Sequence, residues 1–149
     1  IQIQMRTFSA AFPDATVWNS SLQNNGYDVV LLGRTDPKPL SIAAIQARID
    51  KNPKLRSSLS AVRIDSALDL LATYAVSVKD MSDFIHDAPI NQDFSLKLEY
   101  ISGLALNQQR ADIIYRQLVA KTKPPQNLFI GPDAGTLLAR IAKPAGELR

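Results

Sequence analysis

The chain has 149 residues, 46% of them hydrophobic, and this length suits one hydrophobic core, since a domain of about 150 residues buries about 70% of the surface that its unfolded chain exposes. It has no cysteine and no run of about 18 apolar residues, which excludes disulfides, thiolate metal sites and any segment typical of a transmembrane helix. The net charge of +3 comes from basic residues scattered among acids, so we expect a solvated surface and no nucleic-acid binding. The lack of cysteine fits a cytoplasmic location, which we expect.

The first apolar pattern predicts a helix from the first residue up to Pro13, because the residue before a proline is biased out of the helical region. Its apolar side chains recur with helical spacing. They are Ile1, Met5, Phe8 and Phe12. A helix that starts at the first residue is what we expect of a segment cut from a longer protein.

Two strands are predicted next, one around Val17-Trp18 and one over residues 27–33. Asn25-Gly26 lies between them, and such a pair supplies the positive φ angles of a tight turn, so we predict an antiparallel hairpin. The second strand is apolar on successive residues, and we therefore expect both of its faces to be covered in the intact fold. The large aromatic side chains Trp18 and Tyr27 are interpreted as core residues.

The apolar spacing between about residue 40 and Pro89 predicts a series of helices. Capping residues mark their starts: Asn52 precedes a proline, and Ser66 and Ser77 are each followed three residues later by Asp. The side chains predicted to face the core are Ile42, Ile45, Ile49, Leu55, Leu59, Val62, Leu70, Leu71, Tyr74, Met81, Phe84 and Ile85. Pro89 ends the series.

Beyond Pro89, apolar and polar residues alternate from Phe94 to Tyr100, which predicts a half-buried strand. A helix is predicted over about residues 108–121, and a last helix over about 136–142. The glycine-containing segment 131–135 has neither the lysine nor the glycine spacing of a nucleotide-binding loop. We interpret it as a turn that opens the last helix.

The residues able to carry chemistry form no recognisable catalytic constellation. His86 is the only histidine, and we interpret it as a surface residue. Asp80, Asp83 and Asp87 share one predicted helical stripe, which a solvated acidic face explains as well as a metal site does. We therefore assign no catalytic, cofactor-binding or metal-binding residue in this chain.

Asn91 and Asp93 are the candidates for a ligand-binding loop. They lie between Pro89 and the predicted strand, where an exposed loop could face a cleft. Both side chains also bond readily to nearby backbone amides, so a capping role is the alternative.

Several short segments carry a resemblance to a known family. They are Phe12-Pro13-Asp14-Ala15-Thr16-Val17-Trp18, Val29-Val30-Leu31-Leu32-Gly33, Ala88-Pro89-Ile90-Asn91-Gln92-Asp93 and Leu98-Glu99-Tyr100. Over residues 1–101 the chain resembles the carboxyl-terminal part of spermidine synthase-like proteins, whose motifs read Phe-Pro-(His/Asp)-x-x-x-Trp, Val-Leu-Leu-Gly and Ala-Pro-(Leu/Ile)-Asn-Thr-Asp-Asp before a Leu-Glu-Tyr/Phe strand. Asn91 and Asp93 match the last motif, whereas Gln92 and Phe94 depart from it.

The resemblance implies an α/β fold: the carboxyl-terminal part of a methyltransferase-like (Rossmann-like) sheet with an antiparallel hairpin, followed by a mostly helical region. It divides the chain into residues 1–101, the end of the spermidine synthase-like domain, and residues 102–149, a helical carboxyl-terminal extension. The first helix and hairpin correspond to the last helix and the final two strands of that sheet.

Family members transfer an aminopropyl group from decarboxylated S-adenosylmethionine to a diamine. The Gly-rich nucleotide loop and the acidic catalytic stretch of the family have no counterpart in this chain. The co-substrate is therefore implied only for the longer parent protein, and we expect the chain alone to be inactive.

The partners implied are the upstream domain of the same protein or a second copy of the chain, because the edges of the hairpin need cover. Some related proteins carry a membrane domain upstream, which would anchor the parent. The alternative function is a helical protein-protein interaction or oligomerisation module without catalysis, which the capped helices between residues 40 and 121 favour.

Overall fold

The computed structural model describes residues 1–19, 29–36, 38–94, 98, 101, 117–118 and 120–142. These residues form a mixed α/β structure. The helices are α1 (Gln2–Ala11), α2 (Ile42–Asp50), α3 (Pro53–Ala61), α4 (Ala67–Leu71), α5 (Ser82–Ile85) and α6 (Ala134–Ala142). The strands are β1 (Thr16–Asn19), β2 (Val29–Leu32), β3 (Leu40–Ser41), β4 (Tyr74–Ser77) and β5 (Phe129–Ile130), and a 3-10 turn covers Val78–Met81. Among the described helices, none is both long and apolar enough to cross a membrane.

The larger sheet is antiparallel and has the strand order β2-β1-β4. β1 pairs with β2 from Thr16 opposite Leu32 to Asn19 opposite Val29. This pairing confirms the predicted antiparallel arrangement of the two strands, while the predicted turn at Asn25-Gly26 lies outside the described residues. A short parallel pair, β3 with β5, forms the second sheet and was not predicted.

Strand β4 corrects a helix prediction. Tyr74 was expected on the inner face of a helix opened by Ser66, but that helix, α4, ends at Leu71 and Tyr74 begins a strand. The residues of β4 include aromatic and β-branched side chains that suit a strand. Pairing with β1 buries the first three of them, so tertiary contacts prevail over the local helical spacing.

A bulge in β4 sets which side chains enter which part of the core. Val17 pairs with Val76 and the next residue, Trp18, pairs with Tyr74, so Ala75 is an extra residue in β4. Val17, Ala75 and Val76 belong to one apolar cluster, whereas Trp18 and Tyr74 pack in another. The β1–β4 pair therefore separates two clusters.

Each cluster gathers distant parts of the chain. The first consists of Met5, Ala15, Val17, Ala75, Val76, Val78, Met81, Ile85 and Leu118. The second consists of Ile42, Ile49, Ala67, Leu71, Tyr74, Leu128, Phe129, Leu137 and Ile141. The first lies under α1 and α5, and the second lies among α2, α4, β5 and α6.

The predicted helix starts are largely confirmed. Asn52 Oδ1 accepts a hydrogen bond from the Leu55 N–H at 3.1 Å, and Ser66 Oγ accepts one from the Asp69 N–H at 3.1 Å. Ser77 opens the 3-10 turn that leads into α5. The last helix, α6, begins two residues earlier than expected and follows a turn at Gly131, whose φ of 131° favours glycine.

One strand prediction differs from the structure. Phe94 lies in a turn with its side chain fully exposed, and Leu98 and Ile101 are helical, so the described part of the segment 94–100 is not a strand. The alternation of apolar and polar residues reports only the spacing of side chains, whereas a strand also needs hydrogen-bond partners for its backbone groups. In β2, Val30 and Leu32 are 52% and 40% exposed, so one face of this strand is uncovered in this chain, and its cover in the intact fold stays a prediction. The helix predicted over 108–121 lies mostly outside the described residues; Leu118 in it is helical and buried.

Helix α1 ends where its sequence requires. Phe12 adopts φ −130° and ψ 85°, which is non-helical backbone, because Pro13 follows. The Phe12 ring lies directly over Gly33, the residue after β2, so that a Cβ on Gly33 would lie 2.6 and 2.8 Å from the two Cδ atoms of the ring. The absence of a side chain at Gly33 lets the carboxyl end of α1 pack on the carboxyl end of β2.

We expect Gly33→Ala to lower the free energy of unfolding by about 1–3 kcal/mol, because the ring of Phe12 must shift to admit the new methyl group. Urea denaturation followed by circular dichroism measures the change. Gly135→Ala is the matched control, since nothing lies within 4 Å of a Cβ built at that position in α6. There alanine should stabilise the helix by about 0.5–1 kcal/mol. Equal effects of the two substitutions would contradict the contact.

Candidate functional site

A groove of about 730 Å³ lies between α1, β2 and the segment after Pro89, and is here called the α1–β2 groove. Its lining residues are Ile1, Gln4, Thr7, Phe8, Ala11, Val29, Leu31, Asn91 and Leu98. The volume falls within the range of about 300–1,000 Å³ that is typical of small-molecule sites. None of the described lining residues carries a charged side chain, so the groove suits an uncharged, largely apolar occupant.

The sequence builds this groove from two periodicities. The lining residues of α1 recur every three or four positions and form one helical stripe beside the face that buries Met5. Val29 and Leu31 alternate along β2 and point toward the same cluster as Phe8. The groove therefore lies at the margin of the first apolar cluster, between α1 and β2.

Asn91, one of the two ligand-loop candidates, lies in this groove. Its backbone N–H donates to Thr7 Oγ1 at 2.8 Å, and the Thr7 hydroxyl in turn donates to the Ile3 carbonyl at 2.8 Å. These bonds hold the segment after Pro89 against α1. The side-chain Oδ1 of Asn91 is buried without a hydrogen-bond partner, which leaves an acceptor uncompensated at this place.

Asp93, the second candidate, does not join it. It lies in an exposed turn beyond Asn91 and is not among the groove-lining residues. The structure therefore separates the two candidates that the sequence placed together. Asn91 meets α1 through Thr7, which lies 84 positions away in the sequence. The periodicities of α1 and β2 therefore could not indicate this contact.

The remaining titratable candidates lie at the surface. His86 Nδ1 is 2.9 Å from Asp87 Oδ1, and the two side chains are 80% and 99% exposed. Asp80 faces Lys123 at 4.0 Å. Within the described residues, no group of three or more His, Cys, Asp or Glu side chains could hold a metal ion.

Trp18 lies in the second cluster, in contact with two other aromatic rings. Its ring centroid is 5.6 Å from that of Tyr74 and 6.3 Å from that of Phe129, and Tyr74 and Phe129 are 6.0 Å apart, all edge to face. Such pairs add about 0.5–1.5 kcal/mol each beyond their area burial. Trp18 Nε1 donates to Thr16 Oγ1 at 2.8 Å, so the indole N–H is hydrogen-bonded as well. Tyr27 lies outside the described residues.

Tyr74 carries a buried hydroxyl that makes no well-formed hydrogen bond, although the backbone of Ser77 lies close enough to lower the Tyr74 pKa in part. Burial raises the pKa of Tyr74 well above its ordinary value, and the negative charge of Asp80 raises the pKa further. The neutral phenol is therefore retained in the folded state at pH values where an exposed tyrosine ionises. This residue stabilises the core through its ring and opposes folding through its hydroxyl.

No protein-family model matches this chain, and neither a curated protein nor a solved structure is significantly similar to it.

We expect Tyr74→Phe to raise the free energy of unfolding at pH 7 by about 1 kcal/mol, because it removes a buried hydroxyl that makes no well-formed hydrogen bond. Below about pH 10 both states keep the phenolic proton, but above it the unfolded chain loses the proton first. The wild-type chain should thus lose stability with rising pH more steeply than the variant, by up to about 1.4 kcal/mol per pH unit. Denaturant titrations between pH 8 and 11 measure this difference.

Thr16→Val is the matched control for that experiment. Thr16 also has a buried hydroxyl, but this one accepts the bond from the Trp18 indole N–H. Its removal leaves that donor unpaired, so the variant should be destabilised by about 1–3 kcal/mol. Stabilisation by both substitutions, or parallel pH profiles of wild type and Tyr74→Phe, would contradict the assignment.

Proposed function

We propose that this chain is the carboxyl-terminal part of a spermidine synthase-like protein, in which it completes the sheet and has no complete active site of its own. The observation that carries the proposal is the order of its first elements. α1 ends at Phe12-Pro13, β1 follows directly, and β2 pairs with β1 in antiparallel register. The resemblance implies this order for the last helix and the final two strands of the family's sheet.

The finer features of the proposal follow from the resemblance. The sheet of the parent protein is methyltransferase-like, and decarboxylated S-adenosylmethionine binds upstream of this chain, as the co-substrate of aminopropyl transfer. The parent is cytoplasmic, or held at a membrane by an upstream domain. The partner of this chain is the upstream domain or a second copy.

The proposal is supported by the distribution of polar groups as well. The α1–β2 groove has no charged side chain among its described lining residues, and the described acids lie outside this lining. A diamine is a dication and requires acidic partners that are close together. The lining of the α1–β2 groove therefore has the chemistry of an apolar contact surface and not that of a diamine site.

Calorimetric titration tests the proposal. Decarboxylated S-adenosylmethionine, S-adenosylmethionine and putrescine are each titrated into this chain and into a longer chain that includes the upstream reading frame. We expect heat of binding for decarboxylated S-adenosylmethionine with the longer chain and none with this chain. An aminopropyltransferase assay on both chains is run in parallel.

Two outcomes would overturn the proposal. One is aminopropyl transfer, or saturable nucleotide binding, by this chain alone. The other is a longer chain that is folded, as judged by circular dichroism, but binds none of the three compounds.

A further inference from the structure

We draw no further inference here: the strongest candidate, the apolar α1–β2 groove with the outer edge of β2 beside it, carries nothing because nothing among the described residues shows what covers it.

Discussion

Strand β1 pairs on both edges, and the rest of the described structure depends on this double pairing. Val17 and Trp18, adjacent in sequence, point into different clusters, one under α1 and the other among α2, α4 and α6. A shift of one residue in the pairing would exchange their faces and bury each side chain against the wrong partners. The extra residue Ala75 in β4 preserves this arrangement, because it lets Val76 and Tyr74 both match their partners on β1.

Apolar burial, more than ionic contact, holds the helices to this strand pair. Lys79 contacts Asp14, and Arg140 Nη1 lies 3.0 Å from Asp69 Oδ1, but all four side chains are substantially exposed. Exposed pairs of this kind contribute about 0–1 kcal/mol each. Burial of a large aliphatic side chain contributes about 1.5–3 kcal/mol. The positions of α1 and α6 are therefore determined chiefly by Met5, Leu137 and Ile141, which are almost completely buried.

The candidate site is a consequence of the same geometry. β2 pairs with β1 along one edge, and its other edge is unpaired within the described sheet. The groove lies between this strand and α1. Asn91 was identified from sequence as a candidate because a polar loop residue follows a proline turn, and it does line the groove. Its contact with Thr7 was not predictable, since no local pattern relates residues so far apart.

The elements that local chemistry controls could be predicted from the sequence. Pro13 ends α1, Asn52 and Ser66 cap their helices, and the apolar spacing of Ile42, Ile45 and Ile49 defines the inner face of α2. Tertiary structure alone decided that Tyr74 belongs to a strand and that β3 pairs with β5. It also decided which residues after Pro89 meet α1. Caps and helical stripes act within a few residues, whereas strand pairing and burial depend on partners that the chain brings together only when it folds.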